Sequence, residues 1–173
     1  MHPRLQELFA YIDQQAQVLH DAYTSVPMDR RATPPAPGRW SADQVVHHVA
    51  MVNGRISKMF ALAVAESKAQ GLALESDASS ILASMNPDKW RTRDVRFNAP
   101  PPIQPQDTPT EPWALVAPSV RQLKDAGLSG DGHALSEVVK PHPALGPLHL
   151  YEWLGLAGAH ASRHADQIRE DYA

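Results

Sequence analysis

His160 and His164 stand four residues apart. On a helix that spacing puts two imidazoles on one side, one turn apart. Two such nitrogens can bind one divalent ion, at about 2.0–2.1 Å if it is zinc. A third candidate comes from an adjacent pair, His47 and His48. A helical wheel at about 100° per residue separates these two: His48 lies about 60° from an apolar stripe centred on Val45, and His47 about 160°. His48 is expected to face inward and His47 to face water. With Leu150 as zero, the same wheel puts His164 about 40° and His160 about 80° from the apolar centre, with Trp153 and Gln167 on that flank. The pair is therefore expected at the edge of a buried face, internal yet reachable. Three protein ligands and one open position describe a catalytic rather than a structural metal site. Three partly buried histidines packed beside apolar stripes would show the same spacings, so spacing alone leaves both readings open.

Other residues offer supporting chemistry. Gln167, three residues after His164, can hydrogen-bond a ligand imidazole, as outer partners of metal ligands do, or face a neighbouring helix. His142, before Pro143, can approach the metal or a substrate, or anchor its loop. Arg55, seven residues after His48 and on nearly the same face, suits a substrate carboxylate; the alternative is a solvated arginine. His2, His20 and His133 are expected at the surface, as is the basic run Lys89, Arg91, Arg93 and Arg96. Asp166 falls on the far face of its helix and is not expected to be a fourth ligand. Trp40, Trp90, Trp113 and Trp153 read as packing residues. The sequence offers no Gly-rich phosphate loop and no assignable Ser-His-Asp set.

The elements that must position these side chains are helical. Residues 4–24 carry Leu5, Leu8, Phe9, Ile12, Ala16, Leu19 and Tyr23 at spacings of three and four, the mark of an amphipathic helix. Pro27 and the cluster Pro34, Pro35, Pro37 and Gly38 end it. Residues 41–70 follow, with Ser41 as a cap, a stripe of Val45, Val49, Val52, Ile56, Met59, Phe60 and Ala63, and Gly71 as a stop. Residues 110–126 form a third helix, with a kink or restart expected at Pro118. Residues 150–170 form the last, with Leu150, Leu154, Ala157, Ala161 and Ile168 as its stripe. Between the second and third lies an irregular stretch, residues 71–110. It holds a short helix near 76–85, then the proline-rich DVRFNAPPPIQPQDTP. Such a length is uncommon within a compact domain, and the stretch is expected to cover one end of the protein. No strand pair stands out. The expectation is an all-α four-helix bundle with one long connection, in a single domain over 1–173.

Composition limits the function classes. The chain has 173 residues, a net charge of −3 and no cysteine. A chain this long buries about two-thirds of its unfolded surface and needs no disulfide. Without cysteine there are no thiolate ligands and no cysteine nucleophile, so any reacting thiol must come from a small molecule. The charge gives no reason to expect nucleic acid as a partner. No apolar run reaches the ~18 residues of a membrane span, and MHPRLQELFAYIDQQ lacks the apolar core of a signal peptide. A cytoplasmic location, away from the membrane, is expected.

Two segments carry a resemblance. PGRWSADQVVHHVA resembles the DinB-like superfamily motif in which Trp-Ser opens the second helix and a histidine lies eight residues after the Trp; eight after Trp40 is His48. HPALGPLHLYEWLGLAGAHASRHADQI resembles the family's last helix, HP-x-x-G-x-L, then E-W and H-x-x-x-H-x-x-Q-I. It supplies His160, His164, Gln167 and Ile168. One position departs: His149 stands where a Ser or Thr cap would pair with Glu152 as a capping box. The resemblance implies a DinB-like four-helix bundle in which His48, His160 and His164 hold one divalent ion, zinc or nickel foremost. It implies a small-molecule substrate, and frequent homodimers. Family members include S-transferases that use a low-molecular-weight thiol such as bacillithiol or mycothiol, and metal-dependent hydrolases. Thiol transfer to a small electrophile is the first expectation. A metal-dependent hydrolase, or a non-catalytic stress-associated metal-binding or interaction protein, is the alternative.

Overall fold

The computed structural model describes residues 1–92 and 99–173. Arg93 and Arg96 of the basic run lie outside the described residues. Among the described residues the chain is predominantly helical, with α1 (Pro3–Ser25), α2 (Ala42–Ala69), α3 (Ile81–Met85), α4 (Val116–Leu128) and α5 (Leu150–Asp171). A two-stranded antiparallel hairpin, β1 (Val139–His142) and β2 (Gly146–His149), pairs Val139 with His149 and His142 with Gly146. The sequence reading had no strand pair here. With only four residues per strand and prolines in both, the hairpin lacks the alternating run that would mark it.

Helix ends follow their local chemistry. Ser41 caps α2 by accepting from the Gln44 amide, while the Gln44 side chain accepts from the Ser41 amide. His149 does the same for α5. Its Nδ1 accepts from the Glu152 amide at 3.1 Å, and Glu152 Oε2 accepts from the His149 amide at 3.1 Å. The missing Ser or Thr therefore costs the box nothing, because a neutral imidazole nitrogen replaces the hydroxyl oxygen as acceptor. Pro118 falls in the first turn of α4, after a tighter turn at Pro112–Leu115, where its missing N–H leaves no intrahelical bond unmade. The expected restart thus lies at the helix start.

α1 packs along α5 and touches α4, and α2 packs on both α4 and α5. Close approach of α1 to α5 needs Gly158: a Cβ there would fall 2.5 Å from the Tyr11 ring. The apolar stripes read from sequence meet in two cores. One gathers Leu5, Leu8, Phe60, Leu123, Leu150 and Leu154. The other gathers Leu19, Val45, Val49, Val116, Ala161 and Ile168. The histidines lie beside the second.

The connection from α2 to α4 is tied down in two halves. Its first half is held by α1 and, through residues 87–91, by α5. Buried Arg4 reaches Glu75 Oε2 (3.1 Å), Asp77 and the Ser79 carbonyl (3.2 Å), and Glu7 Oε2 accepts from the first amide of α3 (2.8 Å). Its second half, residues 99–108, lies on α2. His2, His20 and His133, expected at the surface, are all half-buried. His2 gains its cover from its cap position on α1, and His20 from the Trp113 ring, 4.8 Å away. Among the described residues no helix is long and apolar enough to cross a membrane.

Candidate metal centre

α2 and α5 bring His48, His160 and His164 together, with one candidate ligand nitrogen from each inside a 4.8 Å span. His48 Nε2 lies 3.3 Å from His160 Nε2, and His164 Nε2 lies 3.1 Å from the same atom. Two nitrogens bound to one zinc ion at about 2.0–2.1 Å and a tetrahedral angle are about 3.3–3.4 Å apart. His48 and His164 thus each place Nε2 near a coordination spacing from His160 Nε2.

The outer ring nitrogens explain why Nε2 points inward. His48 Nδ1 lies 2.7 Å from the Ile103 carbonyl oxygen. A carbonyl only accepts, so Nδ1 carries the proton and Nε2 keeps its lone pair. His164 Nδ1 donates to Gln167 Oε1 at 2.9 Å, with the same consequence. His160 is different: its Nδ1 is buried with no hydrogen-bond partner among the described residues. If the His160 proton sits on Nε2, it can be given to only one of its two neighbours, and Nδ1 stays unanswered. If it sits on Nδ1, three lone pairs converge. A cation answers all three, so the donor set fits a metal ion.

Electrostatics point the same way. Burial, then the nearby His164 and His48, push the His160 pKa well below its ordinary value. Burial also lowers His48, only partly offset by its bond to the Ile103 carbonyl. Both are neutral at pH 7, the form that ligates a metal. His48 and His164 are buried, at 4% and 9% exposed, while His160 is half-buried as a residue. The Trp40 ring lies 4.9 Å from the His48 ring, so this tryptophan packs against a candidate ligand.

The remaining candidates separate. Of the two placements open to Gln167, the structure has its Oε1 on His164 Nδ1. His142 turns Nδ1 into the hairpin, where it accepts from the Ala144 and Leu145 amides at 3.1 Å. Its ring packs on Trp153 at 5.2 Å. It anchors its loop. Arg55 is exposed and donates to the Pro102 carbonyl at 3.4 Å, beside the carbonyl that His48 uses. His47 is half-buried rather than facing water, because residues 105–108 cover it; its Nδ1 is 3.4 Å from Thr108 Oγ. Asp166 pairs with Arg91 at 3.0 Å and is not among the grouped ligands.

One contributor was missed from sequence: the Ile103 carbonyl could not be found, since every residue carries one. Trp40 read as a packing residue, and its position eight before His48 did not say that the ring lies against the imidazole. Compared with protein families, curated proteins and solved structures, the chain matches none.

Proposed function

We propose that this chain is a DinB-like four-helix-bundle metalloenzyme that holds one divalent ion, zinc or nickel, through His48, His160 and His164. The observation that carries the reading is the convergence of three Nε2 atoms at 3.1 and 3.3 Å spacings, two of them turned inward by Nδ1 hydrogen bonds. The pairing of α1 with α5 and of α2 with α4 and α5 supports the bundle. The resemblance of the two histidine segments supports the family.

The reaction we propose is S-transfer from a low-molecular-weight thiol to a small electrophile. A divalent ion supplies Lewis acidity that favours the deprotonated, nucleophilic form of a thiol at neutral pH. The chain supplies no thiol of its own, having no cysteine. Its residues set the stage. His48 and His164 are held in the ligating tautomer, and Trp40 packs on the His48 ring. His142, whose Nδ1 accepts in the hairpin, carries its proton on Nε2 when neutral. Its Nε2 is therefore a hydrogen-bond donor rather than a base. This arrangement favours a nucleophile activated by the ion over one activated by a side chain.

Elemental analysis of the untagged protein beside His48→Ala tests the metal. About one transition-metal ion per chain, lost in the variant, is the expected result for a three-histidine site. No metal in either protein, even after zinc or nickel supplementation, overturns it. Incubating the loaded protein with a small thiol and an electrophile such as a haloarene then tests the transfer. We extend the proposal to a homodimer, for which light scattering in solution should give twice the chain mass.

A further inference from the structure

The second half of the connection has few means of holding its own shape. Pro100, Pro101, Pro102 and Pro105 lack amide donors. Among the described residues its internal bonds are local: the Ile103 and Gln104 amides close one tight turn onto the Pro100 and Pro101 carbonyls, at 3.0 and 3.2 Å, the Gln106 amide reaches the Gln104 carbonyl at 2.9 Å, the Gln104 side chain reaches Ala99, and Thr108 Oγ reaches the Pro105 carbonyl at 3.4 Å. Among the described residues, α2 ties the segment to the rest of the molecule. Gln44 Nε2 donates to the Pro105 carbonyl (3.4 Å), His47 meets Thr108 Oγ (3.4 Å), His48 donates to the Ile103 carbonyl (2.7 Å), and Arg55 donates to the Pro102 carbonyl (3.4 Å). Positions 44, 47, 48 and 55 follow helical spacing and share a side of α2. One of these four contacts also sets the tautomer of a candidate metal ligand.

We infer that residues 100–108 form a strap whose docking on α2 is thermodynamically linked to metal binding, with Arg55 as a positioning residue. This rests on the metal reading above. When the strap leaves, His48 loses the acceptor on Nδ1. The proton is then free to move to Nε2, the atom that must ligate. When the strap is seated, Nε2 is held proton-free and aimed at its two partners. Arg55 acts through the neighbouring carbonyl: by fixing Pro102 it fixes the orientation of Ile103. Linkage is reciprocal, so a strap that strengthens metal binding is itself held harder by the metal, by the same factor.

The test uses the full chain with zinc, and with cobalt(II) as a visible stand-in. Zinc should slow hydrogen exchange at the Ile103 and Gln104 amides. Arg55→Met should still bind one ion but roughly 3–10-fold more weakly, less than the 10–100-fold typical of a direct outer partner. It should also alter the cobalt absorption spectrum. Arg55→Lys, which can still donate to the Pro102 carbonyl, should recover most of the affinity and the spectrum. Arg55 is exposed, so these substitutions leave the core intact. If zinc leaves strap exchange unchanged, or Arg55→Met binds as tightly as the unaltered protein, the linkage is overturned and the metal site stands. If the unaltered protein takes up no zinc, the metal reading fails, and the linkage fails with it.

Discussion

Histidines stand at both ends of α5, and they are handled in opposite ways. At the N-terminal end His149 is closed locally: its Nδ1 accepts from Glu152, whose carboxylate accepts from the His149 amide. Its neighbour Tyr151 donates to Glu75 at 3.0 Å, and Glu75 also receives Arg4 at 3.1 Å. Burial would raise the Glu75 pKa, but the Asp77 amide, Tyr151 and Arg4 together hold it below its usual value. Every strong donor there has its acceptor. In the C-terminal half of α5, His160 and His164 turn Nε2 toward one another and toward His48, and His160 Nδ1 is left buried without a partner. A closed network holds a fold together; converging lone pairs are a cost until something positive arrives. The contrast, rather than the residue type, separates the structural histidine from the candidate ligands.

The sharpest way to break this comparison is at the closed end. Arg4 is buried, at 7% exposed. Arg4→Met strands Glu75 against Tyr151 and the Asp77 amide alone and should cost about 3–5 kcal/mol of unfolding free energy. Chemical denaturation reads the loss, and metal content should not move. A fall in metal stoichiometry in the still-folded variant would join the two ends and undo the distinction. Next in size is the effect of the metal. A ligand that binds only the folded state stabilises it by about 2.7 kcal/mol at one hundred times its dissociation constant. Zinc should therefore raise the melting temperature of the unaltered protein and leave His160→Ala unmoved. Equal stabilisation of both would place the ion elsewhere.

Gln167 offers a smaller and finer test. Its amide oxygen accepts from His164 Nδ1 at 2.9 Å. Gln167→Leu keeps the size and removes the acceptor. Zinc affinity should fall about 10–100-fold, with stoichiometry kept at one. Gln167→Glu should retain or strengthen binding, since a carboxylate accepts the same proton. If Leu and Glu weaken zinc equally, the contact does not orient the imidazole.

The histidine pair was legible because helical spacing carries geometric information: one wheel placed both imidazoles on the flank where they are found. The four long helices were legible for the same reason, since Leu5, Leu8 and Ile12, or Val45, Val49 and Ile56, repeat along one face. Legibility ended where position depends on backbone atoms. The acceptor on His48 is a carbonyl of residue 103, brought back across 55 positions of sequence by proline-rich chain. No side-chain pattern announces it. His47 was misread through the same gap: the wheel put it outside α2, and the strap that covers it carries no periodicity. Arg55 was placed on the face of His48, but its contact with a carbonyl of that strap had no signal in the sequence. His149 stood out as a departure from the usual cap for another reason. Cap preferences rank side chains by frequency, whereas the helix needs only a well-placed acceptor.

That last point gives the smallest and most specific test. His149→Ala removes the acceptor for the Glu152 amide and should cost about 1 kcal/mol, within the 0.5–2 kcal/mol range of lost caps. His149→Ser restores an acceptor and should sit within a few tenths of the unaltered protein. Burial lowers the His149 pKa below 6.5, against the opposing pull of Glu152. The sign follows from that direction. Above pH 6.5 both folded and unfolded forms are neutral, and the cap contributes in full. As pH falls below 6.5 the unfolded chain takes up the proton first, so the stability carried by His149 declines until the folded form is protonated too. The gap between the unaltered protein and His149→Ala should therefore be widest above pH 6.5 and shrink toward pH 5, as urea denaturation at several pH values can read. Zinc binding should stay unchanged throughout the series. If His149→Ser proves as costly as Ala, or if either loses zinc, His149 is doing more than capping α5, and the division between its two ends does not hold.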